Sequence, residues 1–294
     1  MGQRYGMRLL ASTLSLTVPI FLSALIEWGL VAGLIVGLFL FMPDYPNIAF
    51  GATVLLLPSV TSFLAISLIR TGLLVRDKTN APNVDRMIRN SFMFLGNVWI
   101  TVATVFSLFL AITTILYFNG DVERADLQLV FHHPIRAFET GVAQAMVTST
   151  TITSFVIFLL MALYIFCCTM MPLAAAAADV AYKLTSFDMF WGFGVARNLL
   201  FRYCLILSVA GLPIIYVLLT PVIDAIIADH KAIIGIIMGD KRTTILGDVA
   251  MANIVNIGLA GIVFILMFSI WAAITTTVFI EYRDYTDKLE KFIE

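Results

Sequence analysis

Glu27 is the only acidic residue deep inside an apolar run of this 294-residue chain. A carboxylate surrounded by hydrocarbon is costly, so such a residue either moves ions or protons, or is held by a polar partner. Its depth bears on the choice. Pro43 closes the run on the outer side, and a helical rise of 1.5 Å per residue sets Glu27 about 24 Å below it. In a hydrocarbon core of about 30 Å that is the inner third. Asn97, in another apolar run, is the polar group expected to hold it. Glu27 and Asn97 together are the candidate polar site within the membrane, as an ion-coupling pair or as a structural one.

The same run carries GLVAGLIVG, in which Gly29, Gly33 and Gly37 recur every fourth residue and share one helix face. A stripe without side chains lets another helix backbone approach closely. The stripe predicts helix packing, against a helix of the same chain or against a second subunit.

Other chemistry is sparse. His132, His133 and His230 fall between the apolar runs, and adjacent residues point in different directions, so His132 and His133 make a poor chelate. With no histidine inside a run, haem ligation within the membrane is excluded. No phosphate-cradling glycine loop, nucleophile elbow or zinc-protease helix occurs. No catalytic, cofactor-binding or metal-ligating residue is expected. Cys167, Cys168 and Cys204 are an odd count inside apolar runs, which argues against a disulfide framework. The hydroxyls of Thr148, Ser149, Thr150, Thr151, Thr153 and Ser154 line a polar path or, more commonly, bond their own helix. Pro19, Pro58 and Pro213 interrupt three runs, as prolines do in membrane helices generally.

The elements that must position these residues follow from composition. Hydrophobic residues make up 61% of the chain and charged residues 13%, against about 25% charged in a soluble globular protein. The charges, 18 basic and 19 acidic, cluster between apolar runs of about 20 residues or more, the length that crosses a bilayer as helix. These runs do not alternate as the strands of a barrel would. The prediction is an all-α polytopic bundle, a single membrane domain over residues 1–294. Its six spans lie near 14–42, 48–75, 91–117, 142–171, 199–222 and 253–280. Residues Met1 to Ala11 open it as a signal anchor.

Orientation follows from the basic residues. With the N-terminus inside, Arg4, Arg8, Arg70, Arg76, Lys78, Arg86, Arg89, Lys183, Arg197, Arg202, Arg283, Lys288 and Lys291 face the cytoplasm. Only Arg124, Arg136, Lys231, Lys241 and Arg242 lie outside. Both termini are therefore expected in the cytoplasm. Arg70 and Arg202 then lie at the inner headgroups, where they snorkel as anchors.

Three segments depart from plain hairpins. Between the fourth and fifth runs, Leu173, Ala177, Val180, Leu184, Phe187 and Trp191 recur at steps of four and three, an amphipathic stripe. It packs on its own bundle, or lies on the inner membrane surface or a cytoplasmic partner. The outer loop before the sixth run has an isoleucine-rich middle that dips toward the interface. Arg89-Asn90 and Arg197-Asn198 each open a span, a faint echo consistent with a parallel repeat.

The balanced charge gives no reason to expect a nucleic-acid partner. The absence of an Asn-x-Ser/Thr sequon favours a bacterial source, and so an inner membrane. The expected partners are the lipid bilayer and proteins, or a second copy, met through membrane helices. The glycine face, the amphipathic segment and the scarcity of intramembrane charge point to a non-enzymatic multi-pass subunit or scaffold of a larger inner-membrane transport or secretion assembly. The alternative is a small-solute transporter or channel using Glu27, the threonine-rich face and the proline kinks.

Overall fold

The computed structural model describes residues 2–41, 46–76, 84–118, 149–178, 193–194, 196–228 and 251–293. Among the described residues there are six long helices and no strand: α1 (Gly2–Phe41), α2 (Pro46–Arg76), α3 (Val84–Phe118), α4 (Ser149–Ala177), α5 (Arg197–Ala228) and α6 (Ile254–Ile293). Each contains a stretch long and apolar enough to cross a bilayer. In hydrocarbon a backbone must satisfy its own hydrogen bonds, and an apolar helix does so.

Several boundaries differ from the expected spans: α1 starts at Gly2 rather than 14, α3 at Val84 rather than 91, and α5 ends at Ala228 rather than 222. The sixth helix continues through the charged tail to Ile293. The fourth does not end at Pro172 but runs through it to Ala177. Proline lacks an N–H, so Pro172 leaves the carbonyl of Cys168, four residues earlier, without its helical donor. That carbonyl accepts instead from the backbone N–H of Gly194, at 3.1 Å. Gly194 has φ of 75°, a conformation that glycine alone adopts freely. The chain thus returns to the end of α4, patches the break, and starts α5.

The helices form two layers. α2, α4 and α6 contact one another pairwise at the centre. Each of the others lies in a groove between two of them: α1 between α6 and α2, α3 between α2 and α4, α5 between α4 and α6. Burial follows this order. In the spanning stretches of α2, α4 and α6, 44%, 39% and 33% of residues are buried, against 11%, 6% and 6% in α1, α3 and α5. Most of the large apolar residues of the outer helices face outward, as in Ile26, Leu30, Ile206 and Val217, a surface compatible with lipid.

The tight core sits at one end of the bundle, where odd-numbered helices begin and even-numbered ones finish. Ile20 of α1, Ile66, Leu68, Ile69 and Leu73 of α2, Met170 and Met171 of α4, Leu200 of α5 and Phe279 of α6 are all within it. Small residues make this possible. From Leu173 to Ala177 every residue is buried, as is every residue from Trp271 to Ile280. A helix buried all round needs small side chains for neighbours to close in; Ala174–Ala177, Ala272, Ala273 and Thr275–Thr277 supply them. Each of those three threonines donates its hydroxyl to the carbonyl four residues back, at 2.8–2.9 Å, and so satisfies its proton within its own helix. Leu173 and Ala177 therefore belong to no one-sided stripe but to a fully enclosed helix end. Val180, Leu184, Phe187 and Trp191 lie outside the described residues.

Candidate functional site

Glu27 faces α2. Its Oε1 accepts two hydrogen bonds of 2.9 Å, one from Ser23 a turn earlier and one from Ser67 of α2. Its Oε2 is buried and has no partner. The expected partner, Asn97, is elsewhere: fully buried on α3, it lines a cavity, and the Thr101 hydroxyl donates to its backbone carbonyl at 2.9 Å. Both Ser67 and Asn97 lie inside apolar runs, and only the rotation of the helices decides between them.

From Glu27 an aromatic series leads inward. Trp28 meets Phe264 and Phe268 edge-on, with ring centroids 5.3 and 5.7 Å apart. Phe268 stacks on Trp271 at 4.9 Å, and Phe166 of α4 stacks on Trp271 at 5.6 Å. Contacts at these distances add about 0.5–1.5 kcal/mol each beyond area burial.

Trp271, Phe268 and Phe166 are also walls of a cavity of about 330 Å³ where α2, α3, α4 and α6 meet. Thr61, Ser62, Asn97, Thr101 and Thr169 are among its lining residues, but the surface open to the cavity is almost wholly apolar, and among the described residues no charged side chain lines it. Two of its lining residues carry an enclosed donor, the Ser62 hydroxyl and the Trp271 indole N–H, that has no hydrogen-bond partner. Ser62 and Ser67 are five residues apart on α2, about 140° around a helix of 3.6 residues per turn. One serine therefore serves α1 while the other faces the cavity. Neither Ser62 nor Trp271 is distinguished by sequence pattern alone. The available signal was Thr61-Ser62 in an apolar run, opposite a tryptophan whose N–H needs a partner when buried.

Other expected features fall out differently. At Gly29, Gly33 and Gly37 an added Cβ would meet nothing within 4 Å, so no helix of the described chain packs on the stripe. Close glycine contacts within the chain are at Gly211 of α5, against the Met267 side chain of α6, and at Gly72 of α2, where a Cβ would come 2.9 Å from Thr276 Oγ1 and 3.1 Å from Ile20 Cδ1. Asn90 is wholly buried, and its side-chain amide donates to the Ala176 carbonyl at 2.9 Å, capping the last turn of α4 from α3. Asn198 is exposed, so the two Arg-Asn pairs do not occupy matching environments. Cys167 of α4 and Cys204 of α5 are buried free thiols placed against one another. His132, His133, His230 and Thr148 lie outside the described residues.

The fold and these sites define a multi-pass α-helical membrane protein with a largely apolar cavity between its helices. Compared with known protein families, curated proteins and solved structures, the chain matches none.

Proposed function

We propose that this chain is a non-enzymatic subunit or scaffold of a larger transport or secretion assembly in a bacterial inner membrane, with both termini cytoplasmic, joined to its partner through the glycine face of α1. The supporting observation is that Gly29, Gly33 and Gly37 share one face on which the described chain places no atom within 4 Å of an added Cβ. Glycine in a helix interior costs about 1 kcal/mol relative to alanine. Lipid returns nothing for that cost, whereas a partner helix drawn close to the bare backbone gains van der Waals contact. The test is gentle solubilisation from the native membrane followed by mass determination of the intact complex. A stoichiometric partner protein is expected; a lone monomer under the mildest conditions overturns the reading.

A second reading, a small-solute transporter or channel, draws support from the cavity between α2, α3, α4 and α6 and from the half-satisfied carboxyl of Glu27. It predicts solute uptake by vesicles carrying the purified chain alone.

A further inference from the structure

We propose that the groove between α4 and α5 holds one resident diacyl lipid from the leaflet opposite the tight core, its chains along the groove and an ester carbonyl at the Tyr216 hydroxyl. This goes beyond the subunit reading and fails separately from it, because the groove is lined by α4 and α5 whereas α1 carries the glycine face.

The two helices are joined at one end and spread at the other. Toward the core, Cys167 lies against Cys204, the rings of Tyr164 and Phe201 meet at 5.6 Å, and the Cys168 carbonyl takes the Gly194 N–H. Beyond these contacts the pair leaves a space of about 880 Å³, lined from Val156 to Phe166 on α4 and from Leu205 to Tyr216 on α5. Phe166, stacked on Trp271, stands at its inner end. Pro213 is part of the wall, and a proline lets a helix bend away from its neighbour.

Length, volume and lining all suit acyl chains. The lined stretches of α4 and α5 run about 15–17 Å at 1.5 Å per residue. That is half of a hydrocarbon core of about 30 Å, the depth of one leaflet. A methylene displaces nearly the volume of a water, about 30 Å³, so the space accommodates roughly thirty, the two chains of one lipid. Among the described residues neither a charged side chain nor a glycine lines it. Membrane helices dock where small residues let backbones approach. Here Leu159, Leu160, Leu163, Leu205 and Leu212 stand between, and flexible chains fill such a surface where a helix backbone does not. The groove is also reachable, since Val209, Tyr216 and Leu212 are 68%, 65% and 56% exposed.

Tyr216 fixes the depth of the headgroup. Arg197, exposed and charged at the start of α5, marks one edge of the hydrocarbon. Tyr216 lies about 28 Å further along the helix, at the other edge of a core of about 30 Å. Tyrosine favours that level, with its ring among the chains and its hydroxyl among the headgroups. Lipid ester carbonyls lie there too, and the phenol can donate to one. A lipid seated in this way touches protein on two sides and gains a hydrogen bond, which a lipid against a single helix face does not.

The probe is phosphatidylcholine carrying a diazirine midway along one chain, which inserts into nearby C–H bonds under ultraviolet light. It is used with the purified full chain in phosphatidylcholine nanodiscs. Labelling per exposed residue should be severalfold higher on the groove lining than on Ile26 and Leu30 of α1, which are equally exposed at 68% and 70%. Native mass measurement after transfer to detergent should find one diacyl lipid kept per chain. Tyr216→Phe should release that lipid about threefold to tenfold more readily, the worth of one hydrogen bond. Val209→Trp with Leu212→Trp, which fills the groove from two exposed positions, should abolish the groove labelling and the retained lipid together. Labelling that follows exposure alone, a chain that keeps no lipid, or retention unchanged by Tyr216→Phe would overturn the proposal. So would lining residues that stay unlabelled while Ile26 and Leu30 react, because protein would then cover the groove. The labelling map and the retained lipid are read on the natural chain, so a variant that fails to fold leaves the test standing.

Discussion

Gly72 and Thr276 mark the closest glycine-mediated approach of α2 to α6: a methyl group placed on Gly72 would come within 2.9 Å of the threonine hydroxyl and 3.1 Å of its methyl. Thr276 is fully buried, β-branched and tied to the Ala272 carbonyl, so it has little freedom to give way. Gly72→Ala should therefore lower stability by about 1–3 kcal/mol, the usual cost of overpacking. The measurement is reversible unfolding in mixed detergent. An unchanged midpoint would mean that the two central helices separate at this point at no cost.

Gly33 should behave in the opposite way. With nothing within 4 Å of its Cβ position, Gly33→Leu should leave the melting temperature of the isolated chain unchanged or slightly raised. If a partner helix packs on this face, the same substitution should shrink the complex seen by native mass analysis. A loss of monomer stability would place an internal helix on the stripe and contradict the open geometry.

Glu27 and Ser67 link helices that meet edge to edge, and their hydrogen bond has a measurable worth. Ser67→Ala should cost about 0.6–1.7 kcal/mol, the range for polar contacts between membrane helices. Glu27→Gln should change stability less, because the amide oxygen still accepts from both serines. A double-mutant cycle of Glu27→Ala and Ser67→Ala isolates the pair, and a coupling energy near zero would remove it as a structural link. If Glu27→Gln folds normally yet abolishes a transport activity, the ion-coupling role stands instead.

Gly194 ties the start of α5 to the carbonyl that Pro172 leaves open on α4. A side chain there is strained by the positive φ and would also sit 3.0 Å from the Arg197 guanidinium. Gly194→Ala should cost about 1–2 kcal/mol and increase protease cleavage between α4 and α5. Cleavage unchanged from the natural chain would count against this staple.

Topology is open to a reporter experiment. Fusions after Glu294 or near Asn80 should register in the cytoplasm, and those near Asp126 or Asp240 outside, because thirteen of the 18 basic residues fall on one side. A cytoplasmic signal at Asp126 would sink the orientation.

By itself the sequence determined the all-α class and the six helices long and apolar enough to span. That much is local physics: a bilayer admits only self-satisfied backbone, and about 20 apolar residues reveal a span whatever its neighbours are. Which helices form the centre was decided by tertiary structure alone. The central α2, α4 and α6 have mean hydropathies of 1.3, 2.4 and 2.5, which straddle the 2.1, 2.0 and 2.2 of the outer α1, α3 and α5. Lipid tails are as apolar as leucine, so hydrophobicity does not distinguish a helix face packed on protein from one packed on lipid. For that reason Gly29, Gly33 and Gly37 drew notice while Gly72 did not, and Ala174–Ala177 read as part of an amphipathic segment. The same limit applies to the polar groups. Glu27 was legible as a buried acid needing a partner, but helix rotation gave it Ser67 and turned Asn97 and Ser62 toward a cavity with Trp271.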